Sequence, residues 1–151
     1  MLNKHGITQA LVAAGGDIAV GDAPPGQLGW KIDVAPLLKT KSEYTLILAN
    51  RAVSTSGDAE QFALIGGVRY SHIVDPRTGL GQLGRRSVTV IAKHGIVSDP
   101  LTKAVALLEP DKALALIEST PCAAAFIVIE KDGREVGRES KRLKQYLAND
   151  W

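Results

Sequence analysis

Residues 69 to 92 read RYSHIVDPRTGLGQLGRRSVTVIA, and more than one chemistry is compatible with them. GLGQLG fits the pattern G-x-G-x-x-G of a dinucleotide fingerprint. Such a fingerprint works because its glycines turn a strand into a helix whose N-terminus holds the pyrophosphate. Here the glycines follow a turn, DPRT, and precede SVTVIA, a β-branched segment that reads as a strand. No helix follows to supply a dipole, so the segment is expected to be a flexible glycine loop and a Rossmann site is rejected. His72 stands three residues before Asp75, in a segment that alternation makes extended, with Tyr70 and His72 on one face and Ser71 and Ile73 on the other. An imidazole there is either a strand histidine hydrogen-bonded to a neighbour or a base at the mouth of a loop-built site.

Three further stretches offer polar groups. In STSGDAEQ, Ser56 or Asp58 can cap a helical turn, or Gly57 can let consecutive N–H groups converge on an anion. AAGGDIAV reads as a turn before a strand or as a close backbone approach to a ligand, with Asp17 after the double glycine. SDPLTKAV looks like a helix start, with Asp99 as N-cap and Pro100 at the first helical position. The cap does not preclude a ligand role, because a carboxylate has two oxygens.

The elements that must position these groups follow from pattern. MLNKHG reads as the last turn of a helix with Gly6 beyond its end, and ITQALVAA as a buried strand stopping at Gly15-Gly16. A chain that opens on a helix's end suggests a portion of something longer. DIAVG and GWKIDV read as the arms of a hairpin across DAPPGQLG, with Ile32 and Val34 on one face and Lys31 and Asp33 on the other. YTLILA, RAVSTS, VRYSHIVD and SVTVIA are strands, and GDAEQF is a loop or a single helical turn. SDPLTKAVALLEPDKALALIEST gives two helices split at Pro110, AAFIVIEKDGREVG a hairpin turning at Asp132-Gly133, and SKRLKQYLAND a closing polar helix. The fold class is α+β, a largely antiparallel sheet with a helical pair inserted late, in one domain over 1–151.

Composition removes some functions. The chain has 151 residues, a net charge of +2 and only 5% aromatics. That charge is too small to make nucleic acid or an anionic membrane the main partner, and the core must be aliphatic. The most basic stretch, KDGREVGRESKRLK, mixes acids with bases and reads as a solvated turn and helix face. The lone Cys122 lies in PCAAAFIVIE and is expected to be buried and inert. No apolar run approaches the roughly 18 residues of a membrane span, and the opening segment does not read as a signal peptide.

AAGGDIAV, STSGDAEQ, RYSHIVDPRTG followed by SVTVIA, and SDPLTKAVALL stand in the order and at about the spacing seen in the ApbE family of flavin transferases. The resemblance runs from about residue 1 to about 130, and its SHIVDPRTG block is the most specific. It implies an ApbE-like, T-fold-like architecture, here resembling the family's C-terminal half. It also implies FAD as substrate, Mg2+ as cofactor, and transfer of FMN to a threonine or serine hydroxyl of an acceptor protein. Some relatives instead hydrolyse FAD to FMN and AMP, and a non-catalytic FAD-binding or interaction module is a further alternative. Relatives are often periplasmic lipoproteins, which nothing in these residues addresses.

By the same resemblance, His72 matches the functional histidine, a base or orienter that also contacts the cofactor, and Ile73 lies against the flavin nucleotide. Ser56, Gly57 and Asp58 shape the floor of the nucleotide site, Asp17 helps hold that floor, and Asp99 matches a metal-binding aspartate. Two departures stand out. The family's helix start resembles D-A-L-S-T-A with a metal-binding threonine four residues after the aspartate, whereas DPLTKA places Lys103 there and Thr102 one residue earlier. Thr102 is the substitute ligand, or metal binding is weakened or replaced by Lys103. The second departure is length, since the family's N-terminal half supplies an AKGYA-like segment that this chain does not contain.

Overall fold

The computed structural model describes residues 2–35, 37, 44–57 and 62–148. A 3-10 turn, Leu2–His5, leads into β1 (Leu11–Ala14) and β2 (Asp17–Val20), and β3 (Trp30–Val34) is followed by β4 (Tyr44–Leu48) and β5 (Arg51–Gly57). Next come β6 (Phe62–Ile65), β7 (Val68–Asp75), β8 (Leu80–Leu83) and β9 (Arg86–Ala92). Helices α1 (Gly95–Leu107) and α2 (Pro110–Ser119) precede β10 (Ala124–Lys131), β11 (Arg134–Glu139) and a final 3-10 turn, Leu143–Gln145.

The strands form a six-stranded antiparallel sheet in the order β1-β2-β5-β9-β10-β11, a separate β3-β4 hairpin, and a three-stranded sheet β6-β7-β8. Alternation along the central strands sorts residues into two cores. Val53, Ile91, Phe126 and Val128 face the β3-β4 hairpin, where Ile32, Val34, Leu46 and Leu48 meet them with Leu143. Val88, Val90, Ala125 and Ile127 face the helices and pack against Val105, Ala106, Ala113 and Ile117. The molecule is therefore layered, hairpin on sheet on helices, and α1 and β7 meet on the helical side. Each fully buried aliphatic side chain in these layers contributes about 1.5–3 kcal/mol.

Several elements differ from expectation. β1 is short and exposed along its whole length, because it is the sheet's edge and neither core layer reaches it. β2 and β3 are not hairpin partners: β2 pairs with β1 and β5, and β3 with β4. The Gly15-Gly16 pair makes the β1–β2 turn, with φ of 57° and 94°, the left-handed region a two-residue hairpin needs. GLGQLG is not a loop, since Leu80–Leu83 is β8, although the segment is followed by strand β9 as expected. Ile32 and Val34 are buried and Lys31 and Asp33 exposed, as alternation predicts. The Asp132-Gly133 hairpin also forms, with φ of 53° and 73°.

α1 starts five residues earlier than its sequence suggests. Its N-cap is His94, whose carbonyl accepts from the N–H groups of Val97 and Ser98 at 3.0 and 3.1 Å. Asp99 is thus not a cap, and Pro100 lies inside the helix, leaving the carbonyl of surface-exposed Ile96 without its intrahelical donor. Nor does Ser56 cap a helix, because it is a strand residue of β5. Cys122 is exposed with a φ of 59°, in the turn between α2 and β10, rather than buried in the strand that follows. The C-terminal polar helix is only a 3-10 turn, anchored by buried Leu143. Of GDAEQF, residues 58–61 lie outside the described residues, and Phe62 begins β6.

Candidate functional site

The face of α1 toward β5 is built from hydroxyls. Ser98 and Thr102, one helical turn apart, are both completely buried. Opposite them are Ser54 and Ser56, buried on the same face of β5. Ser54 Oγ and Ser98 Oγ are 2.8 Å apart, and Thr102 Oγ1 lies 2.8 Å from Ser56 Oγ. The match is geometric: four helical residues rise about 6 Å and two strand residues about 6.6 Å, so i,i+4 meets i,i+2. Four buried hydroxyls without partners would each cost about 1–3 kcal/mol, and pairing removes that cost while fixing the register of α1 on the strand. Asp17 stands directly across from Ser54 in the β2–β5 pairing, which puts it on this same face.

β7 carries His72 past this helix. Its pairing with β8 is regular at Val74↔Gly81 and Asp75↔Leu80, but the three residues of β7 between Tyr70 and Val74 face only one of β8, Gln82. The extra residues form a bulge around His72, a device that re-aims a side chain. Ser71 and Ile73 turn inward and are buried, whereas His72 is exposed. Ser71 Oγ accepts from the Ile73 N–H at 3.2 Å, stabilising the bulge locally. Ile73 belongs to the same buried cluster as Val105 and Ala106, so strand and helix are locked together through it. A methyl group at Gly81 would overlap the Ser71 carbonyl oxygen. The middle glycine of GLGQLG is thus required by the backbone beneath His72.

The turn after β7 is tied by Asp75. Its Oδ1 accepts from the Arg77 N–H at 2.9 Å, and its carbonyl accepts from the Gly79 N–H at 2.8 Å. The Arg77 guanidinium grips the carboxylate as well, with Nη2 2.7 Å from Oδ2. The Arg77 side-chain hydrogen bonds, together with its backbone N–H, hold the Asp75 carboxyl down to about 2 from the ordinary 3.8. Beside the turn lies an open hollow of about 340 Å³, bordered by Tyr70, Asp75, Gly81 and Leu107.

Asp99 and Lys103 lie on the outward side of α1, each with its side chain about half exposed, and form an i,i+4 ion pair between Nζ and Oδ1. Thr102 Oγ1 is also 2.7 Å from the Asp99 carbonyl oxygen. This donor set is a poor one for a hard divalent ion, which is held through one or two free carboxylates with waters or substrate phosphates completing its shell. One Asp99 oxygen is held by an ammonium, the Thr102 hydroxyl is sealed between helix and strand, and the described residues contain no group of three His, Cys, Asp or Glu side chains that could hold a metal.

Of the residues singled out in the sequence, the structure brings Ser56 and Thr102 into contact, sets Asp17 on the same face, and places Asp99 one residue outside that seam. Gly57 ends β5 opposite Ser87, in strand conformation, and an added Cβ there would press on the β9 backbone at 3.2–3.3 Å. Its smallness serves strand packing instead of an anion-binding turn. Asp58 lies outside the described residues. Sequence reasoning missed Ser54, Ser98 and Gly81, and it missed two arginines that hold helix ends. Arg86 Nη1 donates to the Ala106 and Leu108 carbonyls at 2.6 and 2.8 Å; burial pulls its guanidinium below the ordinary value, with Glu109 acting the other way. Arg142 reaches carbonyls of Ile117, Glu118, Thr120 and Ala123 around the end of α2. The signal for the hydroxyl seam was present as the spacings Ser54-Ser56 and Ser98-Thr102, but only their pairing gives it meaning.

Comparison with known proteins gives the family. The model of the ApbE family matches residues 1–127. The chain belongs to the ApbE family. An FAD:protein FMN transferase of Vibrio cholerae is 31% identical over 135 residues, which is 87% of this chain and 40% of the relative. The Escherichia coli K12 FAD:protein FMN transferase is 27% identical over 153 residues, covering 99% of this chain and 43% of its own length. Among solved structures, the apo form of the Pseudomonas stutzeri flavinyl transferase ApbE superposes with a TM-score of 0.80 at 30% identity, over 99% of this chain and 47% of that one. Flavin transferase ApbE from Vibrio cholerae gives 0.82 at 27% identity, again over 47% of its length. The chain thus spans less than half the length of these ApbE relatives, and its α+β fold is theirs over that span. No helix among the described residues is long and apolar enough to cross a membrane.

Proposed function

We propose that this ApbE-family chain is the C-terminal portion of an enzyme that moves FMN from FAD to a threonine or serine hydroxyl of an acceptor protein. The observation that carries the proposal is an exposed His72 on a bulged strand fixed to α1, in a chain whose relatives are FAD:protein FMN transferases. His72 accepts the acceptor hydroxyl's proton as its oxygen attacks the FMN phosphorus. A new P–O bond forms, the bridging P–O bond of the pyrophosphate breaks, and AMP leaves with that electron pair. A positioned imidazole base contributes about 10²–10⁴-fold to such a step. Ile73 seats the flavin nucleotide through its backbone, while Ser56, Gly57, Asp58 and Asp17 shape the floor on which it rests. The hydroxyl seam keeps that floor rigid, which matters because catalytic geometry is sensitive to displacements of about 1 Å.

The resemblance implies Mg2+, which, if bound, would neutralise charge on the phosphoryl oxygens. Asp99 and Thr102 are its candidate ligands by resemblance, but their present partners oppose that role, and no step above depends on it. The test is incubation of the purified chain with FAD in the presence and absence of an acceptor protein. Denatured acceptor should retain flavin fluorescence, with AMP released in equal amount. FMN and AMP without labelled acceptor would instead identify an FAD pyrophosphatase. Tight FAD binding with no product would identify a binding module.

A further inference from the structure

The disagreement between the acidic residue at position 99 and its surroundings has a specific cause. Lys103 lies one helical turn beyond Asp99, so the two side chains share a face and the ammonium contacts Oδ1 directly. The carboxylate N-terminal to the cation is also the order that the helix dipole favours. The neighbouring hydroxyl is unavailable: Thr102 is fully buried, 2.8 Å from Ser56 Oγ and 2.7 Å from its own helix's carbonyl oxygen. A divalent ion approaching Asp99 would have to displace an attached cation, and the described residues offer no group of three His, Cys, Asp or Glu side chains to hold it.

We infer that Lys103 is a tethered cation that takes the place of a divalent ion at Asp99, so that this side of α1 carries its positive charge covalently. The inference deepens the proposed transferase by assigning its cation, and it rests on that reading only for the role of the charge. The ammonium suits that role, since it is a compact point charge that can face a phosphate oxygen. It also removes any dependence of the site on free metal.

Mn2+ alone, titrated into the chain and followed by loss of its free EPR signal, tests the inference without FAD or turnover. The wild-type chain and Asp99→Asn should take up Mn2+ equally weakly. Lys103→Thr should bind at least about tenfold more tightly, because a like charge a few ångströms from a dication is removed. The double variant Asp99→Asn/Lys103→Thr should lose that gain. Wild-type uptake that Asp99→Asn abolishes would overturn the inference, and so would a Lys103→Thr chain that gains no affinity while keeping the wild-type circular dichroism spectrum and melting temperature. Either result leaves the transferase reading to be judged separately by covalent flavin on the acceptor.

Discussion

A methyl group on Gly81 would collide with the carbonyl of Ser71, the residue before His72, so the backbone that carries the imidazole depends on the glycine's smallness. Gly81→Ala should cost about 1–3 kcal/mol in urea unfolding, as overpacking does, and should shift the His72 ring resonances in NMR spectra. A variant with wild-type stability and unmoved resonances would separate the two residues. Thr102→Val leaves Ser56 Oγ buried without that partner, and a loss of about 1–3 kcal/mol is expected, with Thr102→Ser recovering part of it. Asp75 gives a pH signature. Its folded carboxyl is depressed to about 2 from 3.8, so its stabilising contribution is complete above 3.8 and is lost as pH falls through about 2. The Arg77 amide resonance should report that loss in an acid titration, and an amide insensitive to acid would show that the carboxylate does not hold the turn. At this scale the histidine was legible because its neighbours form a recognisable block, but Gly81 was not. A close approach between strands is a tertiary fact, and the same glycines match a nucleotide pattern by chance.

Elements form where local and tertiary preferences agree, and the sequence was read correctly there. The β-branched run of β9, the Asp132-Gly133 turn and the break between helices at Pro110 all agree. The start of α1 was misplaced because Asp99-Pro100 carries a strong local signal, whereas Gly95–Ser98 carries none. Burial of Ser98 against Ser54 outweighs the proline's preference for a helix start. The helix ends were equally hidden, since their caps arrive from far along the chain. Arg142 collects carbonyls from the end of α2 and the turn beyond it, and Glu118 pairs with its guanidinium at 3.5 Å. Arg142→Ala should therefore destabilise the fold by about 2 kcal/mol or more, with faster amide exchange concentrated in Ile117–Thr120. Uniform exchange along α2 would show that the cap is incidental. A lysine at 142 should restore little, because one ammonium cannot match the planar, multi-donor fork.

For the whole molecule, alternation gave the buried side of β3, Ile32 and Val34, but not which strands would be neighbours. β2 beside β5 and β9 between β5 and β10 are pairings across long stretches of chain, and nothing local selects them. The candidate site has the same character. Its members come from β2, β5, β7 and α1, and the central sheet is what makes them adjacent. Ile73 fixes β7 to α1 while His72 is exposed beside it, so removing the imidazole should slow the chemical step even where FAD is bound. The most direct measurement is mass spectrometry of acceptor protein after incubation with FAD and either the wild-type chain or His72→Ala, at matched FAD occupancy. The account predicts an FMN adduct on a threonine or serine with the wild-type chain, and formation slowed about 10²-fold or more by His72→Ala. Equal adduct from both chains would contradict it.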